Sequence, residues 1–209
     1  MSLPVIIRER GLMDYAVSYR AMKEFTDSRD AATPDEIWLL EHPPVFTLGT
    51  NANQDHVLGA GDIPVVKTDR GGQVTYHGPG QLVVYLLLDL NRARIGVREL
   101  VCRFEKSIIG MLANSGITAA GQKDAPGVYV DSAKIASVGL RVRKHCSYHG
   151  ISINVSVGLE PFSRINPCGY PGLNIVRTTD LGGPETVADA AQKLLPELLH
   201  YLKLHVITN

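Results

Sequence analysis

Gln81-Leu-Val-Val-Tyr-Leu-Leu-Leu-Asp-Leu90 is the stretch on which the fold turns. From Leu82 to Leu88 it is apolar on both parities, as a strand is when both faces of its sheet are covered. The run is far too short to cross a bilayer, so it reads as the centre of a buried sheet. Outward from it lie further short apolar segments at 36–41, 45–48, 63–67, 127–130, 134–142 and 148–157. Helical periodicity brackets them. Tyr15, Tyr19, Met22 and Phe25 recur at three- and four-residue intervals and predict an amphipathic helix over 12–27, with Gly11 separating it from a strand over 5–10. Leu100, Val101, Phe104, Ile108, Met111 and Leu112 share one face of a helix over 97–114 that Gly116 closes. A third helix opens at Thr186 with Asp189 three residues on, carries Val187, Ala190, Leu194, Leu198 and Leu202, and is expected to be interrupted at Pro196.

No repeat, low-complexity tract or linker divides the chain. The expectation is therefore one α+β domain over 1–209, a mixed β-sheet flanked by helices. A chain of 209 residues that is 44% hydrophobic has ample material for a core, and its length should bury roughly 70% of the surface exposed on unfolding. Disorder is excluded as the ground state. Basic and acidic residues balance at 21 each, which argues against a generic polyanion binder. The N-terminal segment has neither a basic leader before a long apolar stretch nor a small-residue cleavage site. Three cysteines fit free thiols in a reducing compartment better than a disulfide framework, so a cytosolic setting is expected.

Arg70-Gly-Gly-Gln-Val-Thr-Tyr-His-Gly-Pro-Gly-Gln81 concentrates five glycines and prolines between two strands. Such a segment is either an elaborate turn or a loop that lets a ligand approach the backbone closely. It is not a phosphate cradle, since no Lys-Ser or Lys-Thr and no helix follow the glycines. Lys134 falls, in an unbroken strand, on the side of Ala136, Val138, Leu140 and Val142, where desolvation would lower its pKa and leave a neutral amine to accept a proton. The alternative is a strand-initial lysine that reaches out to water. In the next strand His149 shares parity with Ile151, Ile153, Val155 and Val157, and reads as structural. Gly150, Ser152 and Asn154 form the opposite face, small enough to leave room for a ligand.

The thiols differ in setting. Cys102 reads as a core or boundary residue of its helix. Cys146 follows Arg143, Lys144 and His145, whose charge would favour a thiolate, but it lies in a polar connection. Its spacing to His149 suits zinc, yet no second ligand pair follows, so no metal is expected. Cys168 sits in Ile165-Asn-Pro-Cys-Gly-Tyr-Pro-Gly172, with four glycines and prolines in the six residues from Pro167. That loop is tight enough to present one sulfur, either as a nucleophile or as an inert loop thiol.

Taken together, the 70–81 and 165–169 segments, Asp124-Ala-Pro-Gly-Val-Tyr-Val130, Lys134-Ile-Ala-Ser-Val-Gly-Leu-Arg-Val142 and His149-Gly-Ile-Ser-Ile-Asn154 resemble the lipoyl (octanoyl) transferase family. Asp35-Glu-Ile-Trp-Leu-Leu-Glu-His-Pro-Pro-Val-Phe-Thr-Leu-Gly49 and Gly96-Val-Arg-Glu-Leu100 are similar to it as well. The resemblance implies a fold like the catalytic domain of biotin and lipoate protein ligases. It implies a cytoplasmic octanoyltransferase of lipoate biosynthesis, moving an octanoyl or lipoyl group from acyl carrier protein to a lysine of lipoyl domains. Those acceptors would be the E2 subunits of 2-oxoacid dehydrogenases and the glycine-cleavage H protein. No cofactor, metal, nucleic acid or membrane is implied. Cys168 matches the acyl-thioester nucleophile, and Lys134 the residue that lowers the thiol's pKa and relays protons. Arg70, Gly71, Gly72, Gln73, Val74, Thr75, Tyr76 and His77 match segments lining the acyl site, as do Ser137, Val138, Gly139, Gly150, Ile151 and Ser152. The rival readings are an ATP-dependent lipoate or biotin ligase, an octanoyl amidotransferase between lipoyl domains, and a non-catalytic acyl-binding module.

Overall fold

The computed structural model describes residues 2–123 and 125–208. In chain order its elements begin with β1 (Leu3–Leu12), α1 (Tyr15–Ser28), β2 (Asp35–Glu41), β3 (Val45–Leu48), β4 (Val65–Lys67), β5 (Val74–His77) and β6 (Gln81–Leu87). They continue with α2 (Leu90–Ala93), α3 (Val97–Ala113), β7 (Ala120–Gly121), β8 (Gly127–Val130), β9 (Ala133–Arg143), β10 (Cys146–Asn154), α4 (Val187–Leu202) and β11 (Leu204–Val206). Eight strands form one mixed sheet in the order β11-β1-β2-β6-β10-β9-β8-β7, and β4-β3-β5 form a second, smaller sheet.

β6 lies between β2 and β10, antiparallel to both. Its double apolar parity has a direct cause. Leu82, Val84 and Leu86 pack with Leu100, Phe104, Ile108, Leu194 and Leu198 under α3 and α4. Val83, Tyr85 and Leu87 pack with Met22 of α1, Trp38, Leu40 and Tyr148 on the other face. Burying each such leucine contributes about 1.5–3 kcal/mol. A third cluster of Phe46, Leu48, Val74, Tyr76, Val157, Phe162 and Ile165 joins the small sheet to the segment after β10. No helix among the described residues is long and apolar enough to cross a membrane.

Several local expectations are corrected. β1 does not stop at Gly11 but passes through it at φ +60° with a register shift after Glu9. α1 starts at Tyr15, where the Asp14 carboxylate accepts from the Val17 amide at 3.1 Å. α4 runs unbroken through Pro196. Pro196 and Gln192 are both exposed, so the turn that loses its hydrogen bond lies on the solvent side of the helix, and the helix survives. The 70–81 segment is not loop throughout, since Val74–His77 is β5 of the second sheet, antiparallel to β3. The short strands β7 and β11, two and three residues long, carry too little periodicity to be read from sequence.

Candidate active site

Lys134 sits near the start of β9, where the register against β8 shifts between Val128 and Tyr129. Its amide donates to the Asn174 carbonyl at 2.8 Å and its carbonyl accepts from the Val176 amide at 3.0 Å. The segment that leaves the Cys168 loop is thereby stitched to the lysine's own backbone, which is why residues far apart in sequence meet. Cys168 takes a left-handed conformation, φ 58° and ψ 15°, a strain that costs a non-glycine residue on the order of 1–3 kcal/mol. The turn is held by Gly169 N–H to Asn166 O at 2.9 Å and Tyr170 N–H to Pro167 O at 3.0 Å, and Asn166 N–H anchors it to His56 O at 2.8 Å.

The Lys134 amine donates to Cys168 Sγ at 2.9 Å and to the Pro126 carbonyl at 3.2 Å, and stands 5.2 Å from the centre of the Tyr129 ring. At 2% exposure it is buried rather than extended to water. Gly127 makes the space: at φ +141°, a Cβ there would lie 2.8 Å from Lys134 Cε and 2.5 Å from Ala136 O. The lysine's titration corrects the sequence expectation. Burial pushes its pKa down, but the charge and hydrogen bond of Cys168, with those of Tyr129, outweigh burial and leave it above the ordinary value. The pair is therefore an ammonium beside a sulfur, with the neutral amine disfavoured while the sulfur carries charge.

Beside this pair opens a cavity of about 370 Å³. Arg70, Gly71, Gly72, Gln73, Val74, Thr75 and His77 line it, with Ser137, Val138 and Gly139 from β9 and Gly150, Ile151 and Ser152 from β10. Tyr76 does not. Its ring packs instead 5.5 Å from Phe46 and 5.4 Å from Phe162, in the cluster that joins the small sheet to the segment after β10. Arg70 is buried and makes no ion pair among the described residues. Its guanidinium donates to Thr47 O at 2.7 Å, Thr47 Oγ1 at 2.9 Å, Gln73 O at 2.9 Å and Gly71 O at 2.9 Å, so the 70–73 backbone is wrapped around one cation. Asp124 of the sequence motif lies outside the described residues.

The cavity also takes in Tyr15, Tyr85, Val97, Val101 and His149, none of which was expected there. Val97 and Val101 had a usable signal, since positions four apart on a helix share a face. His149 had none, and its expected face is overturned. A positive φ of 60° turns its ring away from Ile151 and Ile153, to stack at 5.4 Å on Tyr19 and 5.1 Å on Tyr148. Its Nε2 lies 3.1 Å from Asp69 Oδ1. Burial opposes the charge of Asp69, yet hydrogen bonds from His149, Tyr148 and Tyr19 hold its carboxyl below the usual range. Cys102 is exposed rather than in the core, and Cys146 is buried, not in a polar connection. Burial pushes the Cys146 thiol up, which removes it as a reactive candidate.

His77, in the cavity wall, stands 5.8 Å from His42, ring centre to ring centre. Burial pushes the pKa of His42 down to about 4 and that of His77 down to about 3. The unfolded chain takes up these protons near the ordinary 6.5 and the folded one only at the lower values, so stability present above pH 6.5 is lost as the pH falls. Between pH 7 and pH 5 each histidine should cost on the order of 2 kcal/mol. A urea midpoint that drops over this interval, and drops less in His42→Gln, is the expected outcome. An unchanged midpoint would contradict it.

Residues 14–198 match the lipoyl protein ligase A/B catalytic domain family. An octanoyltransferase of Chromobacterium violaceum is 59% identical over 200 residues, 96% of this chain and 97% of that protein. An octanoyltransferase of Shewanella sp. strain ANA-3 is 56% identical over 201 residues, 95% and 93% of the two chains. Among solved structures, lipoate-protein ligase A bound with ATP superposes with a TM-score of 0.76 at 15% identity, covering 100% of this chain and 90% of that one. Biotin protein ligase from Aquifex aeolicus gives 0.55 at 12% identity, covering 97% and 70%. At those identities the two ligases share the fold, an α+β domain with a large mixed sheet.

Proposed function

Because the chain belongs to the octanoyltransferases of the lipoyl protein ligase A/B catalytic domain family, we propose that it transfers an octanoyl group to a lysine of a lipoyl domain through an acyl thioester on Cys168. The observation that carries this is the amine of Lys134 at 2.9 Å from Cys168 Sγ, beside a cavity of about 370 Å³, a size to take an acyl chain. The donor in this reading is octanoyl-acyl carrier protein, the acceptors are lipoyl domains of 2-oxoacid dehydrogenase E2 subunits and the glycine-cleavage H protein, and the setting is cytoplasmic. Residues 1–209 are read as one catalytic domain.

The steps follow from the charges. The Cys168 thiolate, paired with the Lys134 ammonium, attacks the carbonyl of the carrier thioester. A new S–C bond forms, the carrier's S–C bond breaks, and the departing carrier thiolate takes the proton of Lys134. The acylated sulfur no longer has a charge, so the main supports of the ammonium disappear and burial draws the amine to its neutral form. In the second half-reaction the acceptor amine attacks the acyl carbonyl, an amide forms, Cys168 leaves as thiolate, and Lys134 takes the surplus proton. The ion pair is restored. Each methylene held in the cavity contributes about 0.8 kcal/mol, which favours eight carbons over two.

The acyl group arrives activated, so the expected result is octanoylation of a lipoyl domain from octanoyl-carrier protein with no nucleotide present. Mass spectrometry of the acceptor checks it. Transfer that appears only with free octanoate and ATP would instead make the chain a ligase.

A further inference from the structure

Lys134 and Cys168 come from separate segments, and the strap 174–176 that joins them has a second attachment. The β9–β10 ladder ends with Ile153 opposite Ala136. Past that point Lys134 pairs instead with Ile175, its amide donating to Asn174 O and its carbonyl accepting from the Val176 amide. A side chain of β10 holds the strap as well: Asn154 Nδ2 donates to the Val176 carbonyl at 3.1 Å. Asn154 Oδ1 in turn accepts from Gln81 Nε2 at 2.9 Å, and Gln81 is its direct partner across the β6–β10 pair. Gln81 Nε2 also donates to Tyr76 O at 3.2 Å, and its Oε1 lies 2.7 Å from His77 Nδ1. Gln81 is 1% exposed and Asn154 5%, and neither is among the residues lining the cavity.

The two amides can be set in one way only. A carbonyl accepts and cannot donate, so the nitrogen of Asn154 faces Val176 and its oxygen faces Gln81. The Gln81 nitrogen is then committed to Asn154 and Tyr76, and its oxygen to His77, which donates from Nδ1. Each of the four polar atoms has a partner, and turning either amide over would set like against like. Buried polar groups left unpaired in that way are costly. The pair therefore ties β5, which supplies His77 to the cavity wall, to the strap that meets Lys134. Thr178 and Thr179 anchor the chain to Val155 O only after it has left Lys134.

We propose that Asn154, oriented by Gln81, is a positioning residue for acyl transfer: it holds 174–176 against the Lys134 backbone and so fixes where the Lys134 amine meets the Cys168 sulfur. This rests on the acyl-transfer reading and extends its machinery to two side chains outside the cavity. The strap begins six residues after Cys168, so a shift in it acts both on the turn that presents the sulfur and on the strand that presents the amine. A misplacement of about 1 Å at a reacting pair can cost on the order of 10²-fold in rate.

The test follows growth of the octanoyl adduct by intact mass over a range of octanoyl-carrier protein concentrations, without acceptor. The full chain, Asn154→Leu, Lys134→Met and the double variant are compared. Leucine keeps nearly the volume of asparagine and removes both of its hydrogen bonds. The rate constant, unlike the amplitude, does not depend on how much of the protein is folded. Asn154→Leu is expected to lower the limiting rate about 10- to 100-fold and to leave the half-saturating donor concentration unchanged. In the Lys134→Met background the same substitution should cost little, because the group it positions is gone. Gln81→Met, which removes the orienting partner but keeps Asn154, should give a smaller loss of the same kind, and it carries the test if Asn154→Leu does not fold. An equal loss in both backgrounds, or wild-type rates in Asn154→Leu and Gln81→Met, overturns the proposal and leaves acyl transfer intact. No adduct on the unaltered chain overturns both.

Discussion

Cys168→Ala is expected to reduce octanoyl transfer to background, a loss on the order of 10⁴-fold or more, with the fold intact. Among the described residues, Cys168 supplies the one thiol that lines the cavity, and its sulfur lies 2.9 Å from the Lys134 amine, placed to carry the acyl group while the carrier departs and the acceptor arrives. Alanine has no nucleophile, and nothing else beside the Lys134 amine replaces it. The turn itself should tolerate the change. Its hydrogen bonds run between the backbones of Asn166, Pro167, Gly169 and Tyr170, and alanine meets the same left-handed strain as cysteine. Stability should stay within about 1 kcal/mol, read as a urea midpoint. A variant that keeps transferring at more than a few per cent would remove the thioester from the mechanism.

Lys134→Met should slow acylation of Cys168 by about 10²- to 10⁴-fold near neutral pH. Methionine fills nearly the same volume, so the packing against Gly127 and Tyr129 is largely kept and the loss reports the missing charge and proton. The pH dependence separates this from a folding defect. Without the ammonium, solvent base must take over the proton that Lys134 handles, so the variant's rate should rise more steeply with pH than the wild type's. Equal rates in the two proteins from pH 6 to pH 9 would show that the lysine has been misjudged.

How far the sequence alone reveals this site depends on which physical scale set each feature. The central strand, the apolar faces of α1, α3 and α4, and the Thr186 cap were legible because period, burial and capping are local. The meeting of Lys134 and Cys168 was not, for it depends on residues 174–176 bonding to the Lys134 backbone. Only the resemblance to a family linked those two side chains beforehand. The protonation state of Lys134 was misread for a related reason. Burial acts in the expected direction, but the sulfur that reverses it comes from elsewhere in the chain. His149 escaped because its positive φ breaks the alternation on which strand parity rests. Tyr76 was misplaced by carrying a whole segment into the cavity, when its ring belongs to the cluster of Phe46 and Phe162 under the small sheet. Pro196 misled because its effect depends on whether the carbonyl it orphans is buried, which the helix position alone did not decide.

Mixing the protein with octanoyl-carrier protein in the absence of acceptor, then weighing it intact, examines the acyl-cysteine directly. One octanoyl adduct should form on the wild type, persist in Cys102→Ala and Cys146→Ala, and vanish in Cys168→Ala. An adduct that survives in Cys168→Ala, or a wild type that stays unmodified while still octanoylating its acceptor, would contradict a mechanism built on that sulfur.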